Sequence, residues 1–591
     1  MLNKLIRNKT FTYSITSAAL VMMFAIVGVK VTGLARQLLY SQTFGDKLDI
    51  FYAANLIPET IFNIIALGSI NAVLIPVLTK AISKEGNVKA SYIFSSILNI
   101  GIFLLVVASL IIIIFAPNIV SFTQEVGVIK RFTPDQVQEL INMMRLLLVS
   151  PVLLGISSVL SAVLHIKRHF LITQLAPLVY NLAGILALFT FVPLMKGSIY
   201  GLAYGVILGS LLHLIIQIPS FLNTGIKYHP EAMDYKNKYT KDTGKLMAPR
   251  LFSLAGEQIV IIVQTLIALI YPIGSLFTFR NAMLIRDIPI SLFGLTLAQA
   301  AFPTLSASAT EEDITSFKKY FTRTFQQIVF FVLPLTIFII VMRFPIARLA
   351  FATGSETVTW DQTRITALII FFMSLGIVWM SLTGLLVRAF YSLSSNLTPV
   401  LVSVLTVFLE IFLSIVFSNM FSYLPDTNLG HVLTIFQDHS LGELLTTSNI
   451  NGHGAIVGVA LATSIVSFFE FIILTWLLSR KIRLGQRNFI MGLVKKFVSS
   501  VLLGIGAYVM MQFGERFLPT SKVVNVMLVL GGAFTVGYSI FIVSEYLLND
   551  EEFGLISKIY SKIKGLILRN KRILNQVYKS FIISQEKKSD G

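Results

Sequence analysis

The chain has 591 residues, 55% hydrophobic and 13% charged, with a net charge of +18 and a mean hydropathy of +0.79. Soluble domains carry about 25% charged residues, so this composition excludes an ordinary soluble protein. The absence of cysteine excludes disulfides, thiolate metal sites and cysteine nucleophiles.

Lys4, Arg7 and Lys9 precede a long apolar run. The pattern resembles a signal peptide, but the run is too long and lacks a clear cleavage site, so it reads as the first membrane helix. Apolar runs able to cross the ~30 Å hydrocarbon core recur to the end of the chain. Helices are predicted at 11–40, 51–78, 91–117, 137–164, 170–193, 198–222, 247–271, 275–306, 320–349, 364–388, 396–420, 453–479, 490–512 and 522–547. The expected fold is all-α, a polytopic membrane protein of about fourteen transmembrane helices. It divides into an N-terminal six-helix half at 1–222, a cytoplasmic loop at 223–246, a C-terminal six-helix half at 247–479, helices thirteen and fourteen at 480–548, and a basic tail at 549–591. The second half carries an outer insertion at 421–452 with Asp426, Asp438 and Glu443 but no Lys or Arg. In the tail, apolar residues recur among lysines at helical spacing, which suits an amphipathic cytoplasmic helix on the inner leaflet.

With both termini inside, 30 of the 47 Lys and Arg fall in inner segments and 6 in outer loops. That split follows the positive-inside rule. It accounts for the net charge by attraction to anionic membrane lipid rather than to nucleic acid. An internal echo supports the two halves. Ile57-Pro58 is followed by Phe62 and later Pro76-Val77-Leu78, and Ile288-Pro289 is followed by Phe293 and later Pro303-Thr304-Leu305. Repeated halves are common in transporters, with the substrate site at their interface.

The catalytic inventory is poor. No HExxH, G-x-S-x-G or P-loop occurs among these residues. His165 and His169, four apart beside Lys167 and Arg168, read as interfacial rather than as metal ligands. The expectation is a protein that is not an enzyme and needs no cofactor or metal.

The informative residues are charges inside spans: Lys30, Arg36, Arg145, Arg280 and Arg286, with the acids Glu59, Glu257, Asp287, Glu410, Glu470 and Glu545. Each cation costs about 2.5–3.5 kcal/mol at the centre of an inserted helix, and such groups face a bundle interior or a wet cavity. On α-helical geometry Lys30 and Gln37 share a face and Arg36 lies about 120° away from Lys30. The bland reading pairs Arg286 with Asp287 and Lys30 with Glu257. For Lys30, Arg36 and Arg280 the cations outnumber nearby acids, which favours an anionic substrate, and guanidinium suits phosphate.

Residues 33–78, "GLARQLLYSQTFGDKLDIFYAANLIPETIFNIIALGSINAVLIPVL", resemble the opening helices of the MurJ/MviN lipid II flippases, within the multidrug/oligosaccharidyl-lipid/polysaccharide exporter superfamily. Gly33, Arg36, Phe44, Gly45 and Asp49 match the family pattern, and Lys30 stands where its first Arg is expected. "RAFYSLSSNLTPV" from Arg388 and "AFATGSETVTWDQTR" from Ala350 are similar to later family segments. The resemblance covers roughly residues 10–545. It departs at Phe62 and Asn63, where the family has an Arg pair, at Leu67, where it has an acid, and at Leu284, where it has an Arg; Arg280 lies one turn earlier.

The resemblance implies a flippase for lipid-linked peptidoglycan precursor, lipid II, in the bacterial plasma membrane, serving cell-wall synthesis and cell shape. Lys30, Arg36, Arg280 and Asp49 are the expected substrate-binding residues of a cationic central cavity. Glu257, Glu410, Glu59 and Arg286 are candidates for coupling or gating, driven by a coupling cation or the membrane potential. Cell-wall synthesis proteins are implied as partners. Two alternatives are a flippase for another polyprenyl-pyrophosphate-linked saccharide, and a non-transporting membrane scaffold.

Overall fold

The computed structural model describes residues 15–64, 71–167, 169–310, 313–352, 360–395, 397–422, 455–482, 487–518 and 522–550, with Val358, Glu552 and Gly554. Within these, the side chains of 15–24, 26, 71–72, 248–255, 257, 310, 352, 361 and 487–488 lie outside the description. So do the outer insertion beyond Ser422 and nearly all of the basic tail.

Most of the described residues are helical, and none of them forms a strand. The first group comprises α1 (Ile15–Phe44), α2 (Leu48–Ile61), α3 (Asn71–Glu125), α4 (Pro134–Leu147), α5 (Val149–Ile166), α6 (Phe170–Phe189) and α7 (Tyr200–Ile215). The second comprises α8 (Lys238–Ile270), α9 (Ser275–Pro289), α10 (Thr296–Thr310), α11 (Ile314–Val341), α12 (Trp360–Ser392), α13 (Leu397–Ser422) and α14 (Ala455–Lys481). Two more follow, α15 (Arg487–Phe517) and α16 (Val523–Leu547). Eleven helices among the described residues are long and apolar enough to cross a membrane. The order is consistent with fourteen crossings.

Local chemistry sets the breaks. The 55 residues of α3 would reach about 80 Å if straight, far beyond one bilayer core. Gly86, with φ 75°, divides it into the end of the second crossing and the whole of the third. Thr133 and Gln136 form a capping box that starts α4 at Pro134. The echoed segments share a backbone device. A π-turn at Phe62–Ile64 follows Pro58, and one at Ile290–Leu295 follows Pro289. Proline removes a backbone donor and crowds the preceding turn, and a π-bulge is one way a helix absorbs the change. The second predicted helix, 51–78, is therefore not a continuous α-helix.

In the first group α1 packs on α6, α6 on α7, α2 on α4, and α3 on α5. In the second, α9 and α11 pack on α12, and α12 and α13 pack on α14. Cross-contacts run from α8 to α2 and α3, and from α9 to α1 and α2. The pair α15 and α16 pack on each other and on α11. Lys496 near the start of α15 donates to Asp550 at 2.8 Å, with both side chains 2% exposed. This buried pair ties the two helix ends together. Phe103, Ile114, Phe408 and Val543 are exposed on outer faces, a liability in water that hydrocarbon removes.

Glycine sets the closest helix approach. A Cβ on Gly458 of α14 would overlap the Phe417 carbonyl of α13 and lie 2.6 Å from the Ser418 nitrogen. Gly458→Ala should cost about 1–3 kcal/mol by overpacking. Gly531→Ala on α16, where a Cβ meets nothing within 4 Å, should change stability by less than about 1 kcal/mol. Thermal unfolding of the purified variants checks both, and equal melting would contradict the packing.

Candidate functional site

The two helix groups meet where α1 and α2 face α9. A short turn at Gly45–Lys47 joins α1 to α2 and aims Asp49 at the start of α9. The first amide N–H groups of a helix have no partner within it and carry a partial positive charge. The Asp49 carboxylate accepts hydrogen bonds from the Gly274 and Phe277 nitrogens, both at 2.6 Å. Gly274 sits at φ 97°, a left-handed conformation that glycine adopts without strain. Asp49 is 1% exposed. Both oxygens of this expected substrate-binding residue are engaged as a cap that clamps one group to the other.

Further along α1, Gln37 donates to the Tyr52 hydroxyl and, at 2.8 Å, to Asn281 Oδ1 of α9. Ser41 Oγ lies 3.4 Å from the same Asn281 oxygen. Together with Asp49, these bonds fasten the two helix groups to each other at this end.

Two guanidinium groups border the lock. Arg36, beside Gln37, places its guanidinium carbon 5.8 Å and 5.3 Å from the ring centroids of Tyr40 and Tyr180. Arg280, beside Asn281, lies 5.9 Å from the Tyr52 ring. Cation–π contact is worth about 0.5–1 kcal/mol when exposed and 2 or more when desolvated. It stabilises charge without using N–H donors. Arg36 Nε and Arg280 Nη2 are buried and have no hydrogen-bond partner among the described residues. A buried unsatisfied donor costs about 1–3 kcal/mol, and an incoming anion would remove that cost. The bare backbone of Gly184 admits this arrangement, since a Cβ there would sit 2.7 Å from both Arg36 Cδ and Tyr40 Oη.

The remaining sequence-predicted residues take distinct places. Lys30 is exposed on α1, with no carboxylate partner among the described residues. Glu59 lies 3.6 Å from Arg280 Nη1, an ion pair too long for a good hydrogen bond. Arg286 binds Asp287 at 2.9 Å, so the pairing read from adjacency is present. Glu410 accepts from Gln264 at 2.8 Å and Thr463 at 2.9 Å, joining α13 to α8 and α14. The Glu257 side chain lies outside the described residues, so its pairing with Lys30 is outside them too. Asn63 donates to Gln258 at 3.4 Å across the groups. Tyr40, Tyr52, Tyr180 and Asn281 were not singled out by the sequence. Tyr40 alone had a local signal, four residues from Arg36 on the same helix face.

The profile of the family described as "MurJ: Lipid II flippase MurJ" matches residues 40–425. A relative from Buchnera aphidicola subsp. Schizaphis graminum, named "Probable lipid II flippase MurJ", is 23% identical over 499 residues, covering 84% of this chain and 88% of its own. The solved structure "Lipid II flippase MurJ, inward closed conformation" is similar in fold, with a TM-score of 0.67 at 18% identity over 88% of this chain and 98% of that one. An inward-facing multidrug resistance MATE family transporter of the MOP superfamily has a TM-score of 0.62 at 13% identity, covering 78% of this chain and 100% of its own.

Asp49 should govern closure at the α1–α9 contact. Ser41 is fully buried there, and the chain has no native cysteine to interfere. With Ser41→Cys as reporter, a water-soluble maleimide should label slowly in the Asp49 background and about two- to thirtyfold faster in Asp49→Ala, since losing a helix cap costs about 0.5–2 kcal/mol. Equal labelling rates would show that Asp49 is not the clamp.

Proposed function

Since this chain belongs to the lipid II flippase MurJ family, we propose that it translocates lipid II by alternating access through the cavity between α1, α2 and α9. The physical problem is a bulky polar headgroup, carried through pyrophosphate on a polyprenyl tail, that cannot cross hydrocarbon unaided. The observation that carries the reading is the pair of unused, buried guanidinium donors, Arg36 Nε and Arg280 Nη2, contributed by the two helix groups. Pyrophosphate oxygens supply acceptors for both, and charge-assisted hydrogen bonds of this kind are the strong ones. Lys30, exposed on the same helix as Arg36, adds a third cation. Glu59 holds Arg280 only at 3.6 Å and so yields it to a stronger anion.

The basic-residue split supports an orientation with the termini and the 223–246 loop in the cytoplasm and the Asp49 cap at the outer end. In this arrangement the cavity is closed outside and receives the headgroup from the cytoplasmic side of the plasma membrane. Opening requires release of the Asp49 cap and of the Gln37–Asn281 bond. The α15–α16 pair, outside both groups, provides an apolar face for the polyprenyl tail. The drive is a coupling cation or the membrane potential, worth about 2.3 kcal/mol per charge per 100 mV, with Glu410, Glu257 and Arg286 as sensing groups. Anionic lipids at the basic cytoplasmic face and cell-wall synthesis proteins are its partners.

Translocation of lipid II in sealed vesicles tests this. Lys30→Ala, Arg36→Ala and Arg280→Ala should each slow it by about tenfold or more, from lost contacts of about 1.5–3 kcal/mol, at normal abundance. Lys30→Arg should retain activity. Arg286→Ala should lower abundance instead, by orphaning Asp287. Collapsing potential and ion gradients should slow the wild type, and a maleimide applied outside should not reach a cysteine at Asn237. Normal transport by both Lys30→Ala and Arg36→Ala would overturn the cationic-cavity mechanism.

A further inference from the structure

A second candidate binding site lies away from the cavity, at the Gly86 bend of α3. The 223–246 linker folds over the helix beyond that bend and is fastened to it by side chains. The backbone N–H groups of Lys227, His229 and Asp234 donate to Ser91, Ser95 and Ser96 at 3.0, 2.9 and 3.0 Å. Asn99 Nδ2 donates to the Ala232 carbonyl at 2.7 Å, and Tyr92 stacks on His229 at 4.1 Å. The linker is thus a wall rather than a loose tether. With α3 and the start of α8 it lines a half-open cavity of about 660 Å³, within the size range of small-ligand sites.

The charge in this cavity is uneven. Four ammonium groups line it, from Lys80, Lys84, Lys89 and Lys238, beside the carboxylates of Glu85, Asp234 and Asp242. Glu85 is taken up by Lys89 at 3.1 Å and the Tyr239 hydroxyl at 3.4 Å. Asp234 turns back to accept from the Lys236 and Asn237 nitrogens at 2.9 and 3.1 Å. Lys80, Lys84 and Lys238 have no carboxylate partner within 4 Å among the described residues. Three lysines without a carboxylate partner therefore line the cavity, with Asp242 as the one acid there not engaged elsewhere. The apolar run of the third crossing starts at Ile97, about 8 Å along the helix from Tyr92. The cavity thus sits at the level of lipid headgroups, where basic pockets recognise phosphate.

We propose that this pocket binds a phosphate group at the membrane surface, from an anionic phospholipid headgroup or from a water-soluble phosphate compound. Lysine ammoniums are compact charges on flexible stems, so they can converge on either. The inference rests on the orientation proposed above only for which leaflet supplies a lipid.

The full chain in nanodiscs tests it by lysine acylation read by mass spectrometry. Three conditions are compared: phosphatidylcholine alone, phosphatidylcholine with phosphatidylglycerol, and phosphatidylcholine with inorganic pyrophosphate in the water. Lys80, Lys84 and Lys238 should be shielded about tenfold relative to Lys241 and Lys245, which lie outside the cavity lining. Shielding by phosphatidylglycerol assigns the site to lipid, and shielding by pyrophosphate assigns it to a soluble phosphate. Lys80→Gln with Lys84→Gln should abolish the shielding of Lys238, and the corresponding arginine pair should keep it. Shielding in neither condition, or shielding unaffected by the glutamine pair, overturns the proposal. Lipid II translocation by Lys30→Ala, measured in vesicles, reports on the central cavity alone, so failure of one reading leaves the other standing.

Discussion

A guanidinium removed from bulk water must be given an anion, a water or an aromatic face. This constraint organises the centre of the molecule. Arg36 is held against Tyr40 and Tyr180, and Arg280 against Tyr52. The rings stabilise the charge while leaving Arg36 Nε and Arg280 Nη2 without a hydrogen-bond partner among the described residues. A full complement of carboxylates would have satisfied the same cations and abolished the affinity. The single acid near Arg280, Glu59 at 3.6 Å, offsets part of the cost without capturing the group.

In the proposed mechanism, closure and binding are coupled through adjacent residues. Each helix group contributes a cation followed by an amide: Arg36 then Gln37, Arg280 then Asn281. The amides bond each other at 2.8 Å, and the cations keep one donor each without a partner among the described residues, Arg36 Nε and Arg280 Nη2. Consecutive helical residues point about 100° apart, so one pair can form the lock while its neighbours face the cavity. Separating α1 from α9 breaks the amide bond and must also change the spacing of the two cations. The Asp49 cap adds a charge-assisted clamp at the same junction. A ligand that prefers one cation spacing therefore biases the gate by its difference in affinity for the two states, and by no more than that.

Much of this was legible in the sequence, for identifiable reasons. The helical spans follow from hydropathy. Lys30, Arg36 and Arg280 stand out because charge in a membrane is costly. Arg286 and Asp287 could be paired because they are neighbours. The Ile-Pro echo marked a real backbone feature, a π-turn after each proline, but only coordinates reveal its form. The Asp49 cap was not legible because its partners, Gly274 and Phe277, lie more than two hundred residues away and are backbone groups with no side-chain signature. The tyrosines were missed for a related reason. An aromatic residue in a membrane helix is indistinguishable from packing until its neighbour is known, and Tyr180 meets Arg36 only through the contact of α6 with α1. The serine strap over α3 was equally silent, since four polar residues at the start of an apolar run look like an ordinary interface.

The most direct test of the central claim is the affinity of the purified protein for lipid II with Arg36→Ala, Arg280→Ala and both together. If two cations from opposite helix groups grip one pyrophosphate, each single change should weaken binding by about tenfold or more. The double change should then cost less than the product of the two, because residues sharing one ligand are not independent. Wild-type affinity in the double variant would contradict the account.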